Sequence, residues 1–226
     1  MFELTLTFDN GPEPSVTPGV LDVLARHGIA STFFVIGNKL QNPLARACAE
    51  RANAEGHWIG NHTWTHTRPQ GQLPGEPAAQ REIGRTQAEI GSLSHQPPLF
   101  WPMGGGGNLD RRLLSPEAAA MLQTGGYSCV LWNALPRDWE NPDGWVEPAL
   151  AGITALPWAL MVLHDLPNGA MRHLDRFLTE VKHRGGRFRQ EFPPACVPIT
   201  AGTVTGPLAE FITPAPTAER SAPPQC

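Results

Sequence analysis

The stretch ELTLTFDNGP, Glu3 to Pro12, is the one from which the fold is read outward. Leu4, Leu6 and Phe8 alternate with Thr5 and Thr7, the period-two signature of a strand with one buried face. Asp9 and Asn10 follow at once, and Gly11-Pro12 stops the strand and turns the chain. A carboxylate and a carboxamide therefore stand side by side at the C-terminal end of a first strand. In parallel α/β folds that is the edge where ligands and chemistry collect. Taken alone, the same residues also describe an ordinary turn, because Asp, Asn, Gly and Pro dominate turns.

Beyond Pro12, Thr17-Pro18 reads as a helix cap and first position, with Val20, Leu21 and Leu24 as the apolar stripe and Gly28 as the stop. Ser31–Gly37 is a run of aromatic and β-branched residues, as in a strand covered on both faces. The pattern then repeats. Helix from Asn42-Pro43 to Gly56, strand His57–Gly60, helix Pro77–Leu93 and strand Leu99–Trp101 follow in turn. After them come helix Glu117–Gln123, strand Tyr127–Trp132, helix Asp143–Ile153, strand Leu160–Leu163, helix Ala170–His183 and a short strand Arg187–Gln190. Sustained alternation of this kind predicts parallel strands joined by helical crossovers. The run Gly104–Gly107 lacks the Lys-Ser/Thr of a phosphate loop, so it reads as backbone that bends sharply or approaches something closely. Residues 1–192 are expected to form the folded domain. Residues 193–226, rich in Pro, Ala and Thr, are expected to be an extended or disordered tail.

The chain has 226 residues and a formal net charge of −4, which fits one domain and gives no electrostatic footprint for nucleic acid or a polybasic membrane patch. No apolar run is long enough to span a bilayer, and no export signal precedes the first strand, so a cytoplasmic protein is expected. The four cysteines form no C-x-x-C pair and read as buried or idle thiols.

Polar and titratable residues recur just past the strand ends. Strand one delivers Asp9 and Asn10, strand three His62 and His66, strand five Asp138 and Trp139, strand six His164. The four-residue spacing of His62 and His66 would put both imidazoles on one face of a helical turn, the arrangement of two-histidine metal sites. Two neutral imidazoles and an oxygen ligand suit a divalent ion such as Zn²⁺.

The ordered set TFDNGP (Thr7–Pro12), NHTWTH (Asn61–His66), LFWPMGG (Leu99–Gly105), WNALPRDW (Trp132–Trp139) and MVLHD (Met161–Asp165) resembles the polysaccharide deacetylases of the NodB-homology type, carbohydrate esterase family four. The likeness runs from about Leu4 to Gln190. It implies an α/β fold, a distorted, incomplete (β/α) barrel of about seven parallel strands, that removes acetyl groups from an N-acetylated carbohydrate substrate with a divalent metal. Zn²⁺ is the expected metal, with Co²⁺ or Ni²⁺ as alternatives. It implies Asp9 as general base, His164 as general acid with Asp138 orienting it, and His62, His66 and Asn10 as metal ligands. Trp139 and Val162 would line the acetyl pocket. An amide needs an activated water, a stabilised oxyanion and a proton for its leaving nitrogen, and these residue types supply them.

Beside a smaller departure at Asn133, where an Asp is common, two departures from the family pattern matter. Asn10 stands where the family has a metal-binding Asp, and Trp101 where it has an Arg that tethers the base. Arg137 and Arg68 are open candidates to take over that tether. The departures define an alternative: a catalytically weak or inactive relative that binds glycan without hydrolysing it.

Overall fold

The computed structural model describes residues 1–214 of the chain. Its frame is a single curled sheet. Seven strands are parallel: β1 (Phe2–Asp9), β2 (Thr32–Val35), β3 (Trp58–Asn61), β4 (Leu99–Phe100), β5 (Ser128–Cys129), β6 (Trp158–His164) and β7 (Gly186–Arg189). The order across the sheet is β6-β1-β2-β3-β4-β5, with β7 pairing the N-terminal half of β1. Beyond β5 the curl is drawn together by one bridge, Ala134 to Met161 of β6. The fold is thus an incomplete, distorted barrel, as the strand–helix alternation and the family resemblance led one to expect.

Helices α1 (Thr17–His27), α2 (Pro43–Ala54), α3 (Glu76–Ala79), α4 (Arg85–Ile90), α5 (Pro116–Thr124), α6 (Val146–Thr154) and α7 (Leu174–His183) make the crossovers. Asn42 and Ser115 cap α2 and α5 through their side-chain oxygens, and Gly28 closes α1 in the left-handed conformation. Thr17 is the first residue of α1 and not its cap; its hydroxyl donates instead to buried Asp165. The helix expected over Pro77–Leu93 is interrupted at Gln80–Gly84 by a wide π turn, although Ile83, Thr86 and Ile90 are buried as the stripe predicts.

The core explains strand one. Leu4, Leu6 and Phe8 pack with Leu21 and Leu24 of α1, Leu150 and Ile153 of α6, and Phe177 and Val181 of α7. The opposite face is buried too, which corrects the one-sided reading of the alternation. Thr5 donates to the Glu191 carbonyl at 2.6 Å and Thr7 to the Met161 carbonyl at 3.0 Å, so the hydroxyls are satisfied without water. A second apolar cluster, including Phe34, Phe100, Trp101, Leu122, Trp132 and Val162, fills the other side of the sheet.

The expectation of a tail from residue 193 onward is corrected as far as 214. Here β8 (Ile199–Thr200) pairs antiparallel with β5, and β9 (Thr203–Val204) pairs with β8. Cys196, Val197, Ile199 and Leu208 are buried. The physical reason is that β5 offers an unpaired edge, and the Cys196 carbonyl accepts from Leu131 N–H at 2.8 Å to cover it. Residues 215–226 lie outside the described residues. Cys48, Cys129 and Cys196 are free and buried, as read from the sequence. Among the described residues no helix is long and apolar enough to cross a membrane.

Candidate active site

Parallel strands deliver their C-terminal ends to one edge, and there the expected residues meet around a cleft of about 220 Å³. Asp9, Asn10, His66, Trp139, Val162 and His164 all line it, together with Trp101, Met103, the glycine run, Trp132 and Leu135. His62 and Asp138 stand immediately behind, almost fully buried.

Asp9 occupies the centre. Its Oδ1 lies 3.1 Å from His164 Nε2 and its Oδ2 3.3 Å from His62 Nε2. Burial pushes the Asp9 carboxyl up to about 6; His164 pulls it back, Asp138 adds to the rise, and hydrogen bonding by the Trp101 side chain opposes it. His164 is fixed from behind by Asp138, which accepts from its Nδ1 at 2.8 Å and from its backbone N–H at 3.0 Å. Burial alone would lower the His164 pKa, but Asp9 and then the Asp138 hydrogen bond outweigh it and carry it up to about 9. At neutral pH the pair is therefore carboxylate and imidazolium. Trp139 meets the His164 ring edge-on at 4.7 Å.

The two other histidines are neutral. Burial, then the neighbouring His66, drives His62 well below its ordinary pKa, and burial followed by His164 brings His66 down to about 4. Their rings lie 4.5 Å apart. They are brought together by a tight loop, which corrects the helical-turn rationale for their spacing: Thr63 and His66 adopt positive φ values of 67° and 50°. Asn10, at φ 67°, is likewise left-handed, a conformation that Asn tolerates better than most residues.

The loop is held at every amide. His62 N–H donates to Val35, Thr63 N–H to Asn61 Oδ1, and His66 N–H to Thr63 Oγ1. The Trp64 and Thr65 amides donate to Glu82 Oε2 at 3.1 and 2.8 Å. In the sequence Glu82 shows only as an acid on the stripe that runs through Thr86 and Ile90, a signal that does not by itself point to the histidine loop.

His62 Nδ1 lies 2.8 Å from the Trp101 carbonyl, which only accepts, so Nδ1 carries the proton and Nε2 presents a lone pair. That lone pair faces the Asp9 carboxylate. Two electron-rich atoms 3.3 Å apart with no proton between them call for a cation. Asn10 Oδ1 and His62 Nε2 are both buried without a hydrogen-bond partner, whereas Asp9 Oδ1 faces the His164 imidazolium. Among the described residues no group of three or more His, Cys, Asp and Glu side chains is placed to hold a metal. The donor set is instead two neutral imidazoles and an amide oxygen, with a carboxylate alongside. That chemistry fits a divalent ion of the zinc or cobalt type.

Trp101, expected only as a departure, packs at 5.2 Å on Trp132 while its carbonyl orients His62. Arg137 does not tether Asp9; it pairs with Glu140 at 2.6 Å and lies over Trp139. The glycine run bends through positive φ at Gly105, Gly106 and Gly107, and at Gly104 and Gly107 a Cβ would collide with Trp132 and Leu135. Both halves of its sequence reading hold.

The sequence profile described as polysaccharide deacetylase matches residues 2–123. The chain belongs to the polysaccharide deacetylase family. It is 33% identical over 189 residues to a peptidoglycan-N-acetylglucosamine deacetylase of Listeria monocytogenes, covering 82% of this chain and 37% of that protein. The chain thus spans little more than a third of the length of that relative. It is 39% identical over 165 residues to a chitooligosaccharide deacetylase of Rhizobium leguminosarum, covering 71% of this chain and 70% of the other. In three dimensions it is similar to a CE4 family pseudoenzyme from Bacillus anthracis, with a TM-score of 0.69, 20% identity, and coverage of 82% of this chain and 62% of that one. At that identity the likeness shows the shared fold alone. Within this deacetylase-family fold, the five strand-end motifs and the cleft coincide.

Proposed function

We propose that this chain is a metal-dependent hydrolase that removes N-acetyl groups from an amino-sugar oligo- or polysaccharide. The observation that carries the reading is the demand for a cation between Asp9 and the neutral His62, set directly against the His164 imidazolium. When bound by His62, His66 and Asn10, a divalent ion supplies Lewis-acid polarisation of the acyl carbonyl and of the attacking water; Zn²⁺ suits the donors best, with Co²⁺ and Ni²⁺ as alternatives. The remaining work belongs to the side chains. Asp9, ionised at neutral pH, takes a proton from the water as it attacks. His164 gives its Nε2 proton to the amine nitrogen as the C–N bond breaks, releasing acetate and a free amino sugar. Asp138 holds the imidazole through Nδ1 and keeps it charged until that transfer. Trp139 and Val162 provide the apolar wall suited to an acetyl methyl. The named activities of the Listeria and Rhizobium relatives point to N-acetylglucosamine polymers as the substrate class.

Acetate release from chitooligosaccharides with added Zn²⁺ or Co²⁺ tests this. Turnover that is abolished by chelator and by His62→Ala/His66→Ala supports it, and turnover no greater than that of the double variant sinks it. One observation favours a second reading: Asn10 offers a neutral oxygen where a charged ligand would bind a cation more tightly. On that reading the cleft binds glycan without hydrolysing it, and metal enters only the Asn10→Asp variant. Metal content of the purified wild type beside Asn10→Asp separates the two.

A further inference from the structure

Glu82 is a buried acid that the proposed chemistry does not use. It sits inside the π turn between α3 and α4, a distortion common near functional sites. The turn is held from two sides: Asn61 Nδ2, at the start of the loop, donates to the Ile83 carbonyl at 2.9 Å, and within the helix Thr86 Oγ1 donates back to the Glu82 carbonyl at 2.8 Å. Its carboxylate, 3% exposed as a residue, accepts from the Trp64 amide, the Thr65 amide and the Thr65 hydroxyl. Neither amide has a backbone acceptor among the described residues. From the opposite side the Gly37 and Asn38 amides donate to the Thr63 and Trp64 carbonyls at 2.9 and 3.1 Å. The Trp64 ring is clamped beneath the Arg85 guanidinium at 3.7 Å and against Gly37, where a Cβ would meet it.

A charged acceptor buried under two adjacent amides is worth more than a neutral one, and among the described residues Glu82 is the side chain that spans both. The two amides lie midway between His62 and His66, so they set how far apart the two rings are held. Outer partners of this kind commonly change metal affinity tenfold to a hundredfold when removed.

We propose that Glu82 is a positioning residue for the His62/His66 pair: its carboxylate, aimed by the π turn, holds the intervening loop in the left-handed form that brings both imidazoles to one point. The proposal rests on the reading of those histidines as metal ligands, and its test separates the two. Wild type and Glu82→Gln are compared by amide hydrogen exchange at Trp64 and Thr65, by Zn²⁺ titration calorimetry and by thermal melting. The expected result is faster exchange at those two amides and about ten- to a hundredfold weaker Zn²⁺ binding, with the global melting transition retained. Unchanged exchange overturns the proposal, as does faster exchange with unchanged Zn²⁺ affinity. If wild type takes no Zn²⁺, the metal reading fails, and the exchange result still decides whether Glu82 holds the loop. Should Glu82→Gln not fold, Glu82→Asp keeps the charge but shortens the reach, and the same shifts are expected. Failure of both variants to fold would make Glu82 a stabiliser of the whole sheet and would overturn its positioning role.

Discussion

His164 is the residue on which the chemistry turns, because it is the one proton donor held charged against the cleft. Removing it as His164→Ala is expected to lower kcat by about 10² to 10⁴ while leaving Zn²⁺ content unchanged; equal loss of metal would mean that it acts as a ligand instead. Asn10 tests the opposite side. Asn10→Asp is expected to tighten Zn²⁺ roughly tenfold, the order of the ~1–1.5 kcal/mol separating charged from neutral partners, and calorimetry with no change in affinity would exclude Asn10 from the donor set. Asp165 follows His164 in the chain and helps to raise its pKa, so the pH test it offers is read in unfolding and not in turnover. It is fully buried, and burial raises its pKa from 3.8 to about 7, although its hydrogen bond from Thr17 works against the shift. The folded chain therefore keeps a proton that the unfolded chain has already released. This contribution to stability is complete below about pH 4 and is lost as the pH rises through about 7. Asp165→Asn should thus gain on wild type in urea melts between those limits, by on the order of a few kcal/mol at the alkaline end; a constant difference would contradict the assignment. Asp9, His62, His66 and His164 were legible in the sequence because titratable residues sit there just past strand ends, and parallel topology leaves no other place for them. The roles of Trp101 and Glu82 were not: a backbone carbonyl that orients a histidine leaves no trace in the sequence, and Glu82 shows only as an acid on the stripe through Thr86 and Ile90, with nothing to say which loop it reaches.

At the scale of elements, the strand–helix alternation was readable because each strand carries its own apolar run and each helix its own stop. What escaped was the environment of the faces. Thr5 and Thr7 look solvent-facing in an alternating pattern, yet they point into a closed interior where carbonyls of Glu191 and Met161 replace water. Likewise the histidine spacing suggests a helical turn, whereas left-handed residues build the loop. The glycine run is the element whose reading makes a further prediction. Gly107 has φ 80° and faces Leu135, and the Trp132 indole donates to its carbonyl at 3.2 Å. Gly107→Ala combines a left-handed penalty with a collision in the cleft wall. It should cost roughly 1–3 kcal/mol of stability and raise KM for chitooligosaccharide. A variant with wild-type melting temperature and KM would show that the run is neither strained nor part of the cleft.

At the scale of the molecule, the curled sheet has an edge problem that residues 193–214 solve. Strand β5 is only two residues long, and beyond β4 its other side would be open but for β8. Cys129 pairs with Ile199, Ile212 bridges to Leu114, and Thr213 Oγ1 donates to the Gly71 carbonyl at 3.0 Å, so this segment closes one flank of the barrel from three directions. Its composition hid the role, because two-residue strands show no period and prolines mask short pairings. The segment is also near the chemistry: the Cys196 carbonyl holds Leu131, whose neighbour Trp132 packs on Trp101 in the cleft wall. Ile199→Ala removes a fully buried side chain and should destabilise the chain by about 2–5 kcal/mol. Ending the chain at residue 192 exposes the β5 edge together with the surface under Cys196, Val197 and Leu208, and should yield an aggregating or molten product with lost near-ultraviolet circular dichroism. A truncated chain that melts cooperatively and remains monomeric in sedimentation would mean that the barrel closes without this strap.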